Sequence, residues 1–224
     1  MDKCIAAIFP LVKEYYDRQA AQVDDAGNEV RLSAPAFDEH EAMRAISTIL
    51  GGWISQGKNV REFEESAARY FGTGSGIAVN SGSSANLIAL LALKEHKGIE
   101  DGAEVIVPAA TFATVSMPVI QAGLVPVYVD VDLDSLNISP DAAEAAISER
   151  TKILMPVHTL GYPAEMDQLM AIAAKHDLAV LEDCCEAHGS ALNGQKVSSF
   201  GDVGTYSFFV AHNMTTSEGG MVMT

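Results

Sequence analysis

The chain has 224 residues, 48% of them hydrophobic, and its 14 lysines and arginines against 30 aspartates and glutamates give a formal charge of −16. A chain of this size buries roughly 70% of the surface it exposes when unfolded, so a soluble globular protein of one large domain, or most of one, is expected. The acidic balance excludes nucleic acid and anionic membrane as partners, because both demand a basic face, and any phosphate ligand must be held locally by backbone amides and a few side chains.

Residues 5–22 carry apolar positions at Ile5, Ile8, Phe9, Val12, Tyr15 and Tyr16, a helical spacing that predicts an amphipathic N-terminal helix. The polar stretch from Asp24 to Glu29 reads as a loop, and further helices are predicted over 38–50 and 60–71, separated by Gly51-Gly52-Trp53 and the turn at Gly57. From residue 76 the pattern alternates. Strand Ile77–Val79 leads into a helix over 84–95, Glu104–Val107 into one over 112–122, and Val125–Val129 into one opened by Ser139-Pro140, where a capping hydroxyl precedes a proline at the first helical position. Ile153–Val157 precedes a helix over 165–176, Ala179–Glu182 runs into a turn at Asp183, and Gly219–Thr224 looks like the start of one more strand. Such alternation predicts an α/β fold: a mostly parallel sheet with crossover helices and ligands outside the carboxyl ends of its strands. The hydrophobic stretches 86–93 and 103–110 are too short or too interrupted for a bilayer span of about 20 residues. The N-terminus has no secretory pattern, so a cytoplasmic location is expected.

The candidate chemistry falls where that architecture would put it. Asn80-Ser81-Gly82-Ser83-Ser84-Ala85 joins a strand to a helix. Small residues and helix-start amides there can cradle a phosphate or simply cap the helix. Asp183 ends a buried strand, either as a turn former or as the carboxylate that keeps a ring nitrogen protonated. Glu186 either reaches a ring hydroxyl or faces solvent. Phe112 is core or an aromatic face for a ring, Ser207 offers a hydroxyl to a phosphate, and His212 is a structural residue or a proton carrier. Cys4 and the pair Cys184-Cys185 provide no disulfide framework and no zinc spacing. The pair reads as buried thiols, and no metal site is assigned.

Together, SGSSANLIALLAL (81–93), PAATFATVSMPVIQAGLVPVYVDVD (108–132), LEDCCEAHGS (181–190), FGDVGTYSFF (200–209) and TTSEGG (215–220) resemble the DegT/DnrJ/EryC1/StrS family of fold-type I pyridoxal-phosphate enzymes from about residue 37 to the end. That resemblance implies a three-layer α/β large domain over 37–224, preceded by a helical extension over 1–36. The family's remaining strands and small C-terminal domain lie beyond the position matching Thr224, so a fragment of a longer enzyme is expected. GGWISQGKNVREFEES (51–66), SGSSANL, HTLG (158–161) and the EDCC pair followed by an acid are similar to the branch that dehydrates sugars at C3 rather than to ordinary sugar aminotransferases.

The resemblance implies that Ser83, Ser84 and Ser207 hold the cofactor phosphate, Phe112 stacks on its ring and Asp183 pairs with the pyridine nitrogen. In Ser207-Phe208-Phe209-Val210-Ala211-His212-Asn213, His212 then stands where the family's lysine would form a Schiff base. Histidine cannot make that bond, so pyridoxamine 5′-phosphate or pyridoxal 5′-phosphate would sit non-covalently with the imidazole left to move protons. The implied reaction is loss of the C3 hydroxyl from a nucleotide-linked 4-keto-6-deoxyhexose in dideoxysugar and lipopolysaccharide O-antigen biosynthesis. A homodimer and a reductase partner are implied as well, with an iron–sulfur cluster only in a full-length form. The rival expectations are a sugar aminotransferase using Lys196, in the Asn193–Lys196 turn, and a non-catalytic family member.

Overall fold

The computed structural model describes residues 3–22 and 37–224; the loop expected over 24–29 lies outside them. The chain divides into two compact units, residues 1–61 and 62–224.

In the first unit, helix α1 (Lys3–Gln22) packs on α2 (Glu39–Leu50). Ile5, Ile8, Phe9, Val12 and Tyr16 are all partly buried, whereas Tyr15, placed on the same stripe by periodicity, is exposed. Helix α2 begins at a capping box. The Asp38 carboxylate accepts the His40 N–H at 2.7 Å while Glu41 accepts the Asp38 N–H at 2.9 Å, meeting two donors that a helix start leaves unpaired.

The second unit contains most of α3 (Lys58–Phe71) and then β1 (Gly76–Val79), α4 (Gly82–Lys97), β2 (Glu104–Pro108), α5 (Ala113–Gln121), β3 (Val125–Val129), α6 (Pro140–Ala145), β4 (Thr151–Leu154), α7 (Met166–His176) and β5 (Ala179–Asp183). A short hairpin, β6 (Ala191–Leu192) and β7 (Gln195–Lys196), precedes β8 (Val203–Ser207) and β9 (Gly220–Met223). Seven strands form one sheet in the order β1-β9-β8-β5-β4-β2-β3. The ladders β3/β2, β2/β4, β4/β5 and β5/β8 are parallel, and β9 runs antiparallel between β8 and β1. The mostly parallel, three-layer reading therefore holds.

Side-chain alternation along the strands makes the layers. Val105 and Val107 of β2, Ile153 of β4 and Leu181 of β5 pack with Ala85, Ala89, Leu90 and Leu93 of α4 and with Val115 and Val119 of α5. Their neighbours Ile106, Leu154 and Val180 face the other way, onto Met166, Leu169 and Ala173 of α7 and Ala143 of α6. A third cluster sets Ala67, Ala68 and Phe71 of α3 against Tyr206, Phe208, Met221 and Met223. Burying each such large apolar side chain contributes about 1.5–3 kcal/mol.

Two expectations differ in detail. The strand predicted to run to Val157 ends at Leu154, because Pro156 has no N–H for the ladder; its carbonyl still accepts the Asp183 N–H at 2.9 Å, and Val157 bridges to Asp183. The turn predicted over Asn193–Lys196 is confined to Asn193 and Gly194, both at positive φ, so that Lys196 belongs to β7.

Candidate functional site

The carboxyl ends of β1, β5 and β8, the start of antiparallel β9 and the first turn of α4 meet at one edge of the sheet. Ser81 caps α4, its hydroxyl oxygen accepting the Ser84 N–H at 3.1 Å and lying 3.2 Å from the Ser84 hydroxyl. The N–H groups of Gly82 and Ser83, at the first two helical positions, have no acceptor within the helix and carry its positive dipole end. Close approach requires glycine here. A Cβ on Gly82 would lie 2.6 Å from the Ser207 Cβ and 2.9 Å from the Cys185 sulfur, and one on Gly220 would lie 2.3 Å from the Ser81 carbonyl. The serine turn, Ser207 and Cys185 are thereby brought together. The Ser207 Oγ accepts the Phe209 N–H at 3.3 Å.

Asp183 ends β5 and is 4% exposed. Its Oδ1 accepts the Cys185 N–H at 3.0 Å, and its Oδ2 accepts the Asn86 amide at 2.8 Å. A carboxylate offers about four lone-pair sites, so these two bonds fix its plane and leave capacity for another donor. The adjacent Glu182 points to the opposite face of the sheet and is saturated. Its oxygens accept the N–H groups of Ser198, Phe200 and Gly201 at 2.8–2.9 Å and stand 3.1 Å from the Nε2 of buried His158. Because His158 Nδ1 accepts the Ala164 N–H at 3.0 Å, the ring proton sits on Nε2 and is donated to Glu182. His158, Glu182 and Cys184 are mutually close and fully buried, but Glu182 already has a donor for every lone pair. The trio reads as a structural knot rather than a metal centre. Burial, with Glu182 and Asp183 beside it, pushes the Cys184 thiol well above its usual range, as expected of an inert buried thiol.

His212 lies in the β8–β9 connection, whose base is closed by the Phe208 N–H to Gly219 and the Thr216 N–H to Phe208. A turn from the Phe209 carbonyl to the His212 N–H, 3.0 Å, sets the imidazole half-buried. Burial lowers its proton affinity, and the carboxylates of Glu186 and Asp183 act the other way. Glu186 also accepts the Leu160 N–H at 2.6 Å, joining the HTLG turn to this edge. Beneath His212, at 6.0 Å between ring centroids, lies His188, stacked on Tyr206 and Phe208 at 5.2 and 5.6 Å. Burial and then repulsion from His212 lower the His188 pKa to about 4.

Phe112 is the N-cap of α5 and is 75% exposed, which rules out the core reading but leaves its ring uncommitted. Lys196 is directed elsewhere: its ammonium sits over the Tyr70 ring, 3.4 Å from the centroid. Sequence reasoning missed Asn86, Thr205 and His188. The one available signal was a polar residue, Asn86, on the apolar stripe Ala85, Ala89, Leu90 and Leu93.

A phosphorylated pyridine cofactor fits this edge. Among the described residues, the buried side-chain polar atoms without a hydrogen-bond partner are Thr111 Oγ1 and the two His188 ring nitrogens. Thr111 follows β2 and His188 follows β5, so all three lie beyond the carboxyl ends of strands, where ligands of such sheets gather.

Residues 35–224 match the DegT/DnrJ/EryC1/StrS aminotransferase family. A dTDP-4-dehydro-2,6-dideoxy-D-glucose 3-dehydratase from Saccharopolyspora spinosa is 41% identical over 222 residues, 97% of this chain and 48% of that protein. Among solved structures, an E coli GDP-4-keto-6-deoxy-D-mannose-3-dehydratase with bound hydrated PLP superposes with a TM-score of 0.84 at 33% identity, covering 88% of this chain and 51% of that one. An aminotransferase from Psychrobacter cryohalolentis gives 0.81 at 38% identity, covering 86% and 49%. The chain spans about half the length of the curated relatives it matches. No described helix is long and apolar enough to cross a membrane. By its sequence over 35–224 and by its fold, the chain belongs to the DegT/DnrJ/EryC1/StrS aminotransferase family.

Proposed function

We propose that this chain is the cofactor-binding part of an enzyme that removes the C3 hydroxyl of a nucleotide-linked 4-keto-6-deoxyhexose, with residues 37–224 as the cofactor domain and 1–36 as an extension. The observation that carries the reading is His212, a half-buried imidazole that feels the Asp183 and Glu186 carboxylates from the loop where the family's lysine is expected. Similarity to both 3-dehydratases and an aminotransferase supports nucleotide-sugar chemistry and leaves that side chain as the discriminating feature.

In this reading the Gly82 and Ser83 amides with Ser83, Ser84 and Ser207 hold the phosphate, Phe112 covers one ring face, Asp183 meets the ring nitrogen and Glu186 faces the ring hydroxyl. Pyridoxamine 5′-phosphate would supply an amine that joins the sugar ketone and a ring that takes up the electron pair left when His212 removes a proton, the same pair then being available to expel the C3 hydroxyl. His212 does the proton work. Its lowered proton affinity keeps the imidazole neutral near neutral pH and ready to accept a proton, and the two carboxylates stabilise the imidazolium that results. Asp183, held at both oxygens, presents a fixed negative charge with room for one further donor. The working unit in this reading is a homodimer, with a reductase as a further partner.

The test is to incubate the protein at its full coding length with pyridoxamine 5′-phosphate and a nucleotide-linked 4-keto-6-deoxyhexose. Mass spectrometry is expected to show loss of the C3 oxygen, and borohydride treatment to leave no cofactor attached. An amino sugar as product, or cofactor trapped on Lys196, sinks the reading in favour of amino transfer. Bound but unchanged sugar identifies a non-catalytic family member.

A further inference from the structure

We propose that Asn86 is a positioning residue for the cofactor: it locks the Asp183 carboxylate in one orientation and couples it to the helices that begin at the serine turn and at Phe112. The inference rests on the cofactor reading above.

Asn86 lies in the second turn of α4 and is 1% exposed, surrounded by the apolar core of that helix. Burying a primary amide is costly unless it is hydrogen-bonded, and here both N–H donors and the carbonyl oxygen are engaged. Its Nδ2 donates to Asp183 Oδ2 at 2.8 Å and to the Thr114 carbonyl at 3.1 Å, and its Oδ1 accepts the Thr205 hydroxyl at 2.6 Å.

The amide has only one workable orientation, because a flip would set its oxygen against two acceptors. The Thr205 hydroxyl supports that orientation by donating to the amide oxygen at 2.6 Å, with the Glu182 carbonyl farther off at 3.4 Å. The three bonds join α4, β5, α5 and β8, and with the Cys185 N–H on the other oxygen they stop the Asp183 carboxylate from rotating. A leucine would fill this space in the core. The amide is the group that Asp183, rather than packing, requires.

The experiment uses the protein at its full coding length and pyridoxamine 5′-phosphate labelled with 15N in its ring. Asn86→Leu is expected to weaken cofactor binding by about tenfold, the scale of one lost hydrogen bond to a charged group, and to shift the ring-nitrogen NMR signal towards that of unprotonated pyridine. Thr205→Val is expected to move both readouts in the same direction by about threefold in affinity, and Thr205→Ser to restore them. If Asn86→Leu does not fold, the Thr205 pair decides. Affinity within twofold of the unaltered protein and an unmoved nitrogen signal in Thr205→Val, even with a lowered melting temperature, assign these residues a purely structural role and overturn the proposal alone. An unaltered protein that takes up no pyridoxamine 5′-phosphate overturns the cofactor reading together with this one.

Discussion

Glu182 and Asp183 are consecutive acids on one buried strand, and the environments on the two faces of the sheet could hardly differ more. On the α7 side, Glu182 has four donors for its four lone pairs and ties His158 to the loop at 198–201. On the α4 side, Asp183 has two donors for its four lone pairs. Burial alone does not separate structural acids from functional ones, since both are nearly inaccessible. What differs between the two is unfilled hydrogen-bonding capacity: Glu182 is saturated, and Asp183 has room for further donors.

The sharpest way to break this comparison is to remove each acid in turn. Glu182→Ala would leave three buried backbone N–H groups and His158 without their acceptor, and is expected to cost about 4 kcal/mol or more of stability in urea denaturation. Asp183→Asn keeps the size and one acceptor oxygen, so its stability should stay within about 1 kcal/mol. Its turnover should instead fall by about a hundredfold, because a neutral amide no longer holds a ring nitrogen protonated. A stable Glu182→Ala, or an Asp183→Asn that unfolds while a folded fraction retains full turnover, would reverse the assignment of roles.

How much of this was readable in advance depended on whether local pattern or tertiary contact decides. Ser139-Pro140 and the valine-rich runs at 104–108 and 125–129 carry their own start signals and periodicity, and the elements appear where expected. The strand Val203–Ser207, reading V-G-T-Y-S, has no apolar run of its own and is recognisable only once β5 and β9 flank it. The serine turn, Asp183 and His212 stood out in the sequence because they follow predicted strands, where such sheets place ligands. Asn86 and Thr205 were not, since their meaning comes from partners 97 and 119 residues apart in the chain. Glu182 and Asp183 are indistinguishable as a dipeptide. Their difference is one of donor counts on opposite faces, which no local pattern encodes.

His188 tests the same idea with a basic group and a smaller effect. Its ring is stacked on Tyr206 and Phe208, and its pKa is lowered to about 4, first by burial and then by His212, with the Ser207 backbone acting the other way. Above the unfolded value of about 6.5 the ring is neutral in both states and costs nothing in charge. As pH falls from 6.5 towards 4, the unfolded chain takes up a proton that the folded protein refuses, so stability declines across that window. Allowing for partial solvent access, the loss should be about 2 kcal/mol. In His188→Phe, which keeps the stacked ring and removes the titration, urea midpoints between pH 6.5 and 4.5 should fall less steeply than in the unaltered protein, with carboxylate protonation common to both. Parallel curves would mean that His188 finds a proton partner in the folded state. The unsatisfied edge would then be narrower than the contrast between Glu182 and Asp183 implies.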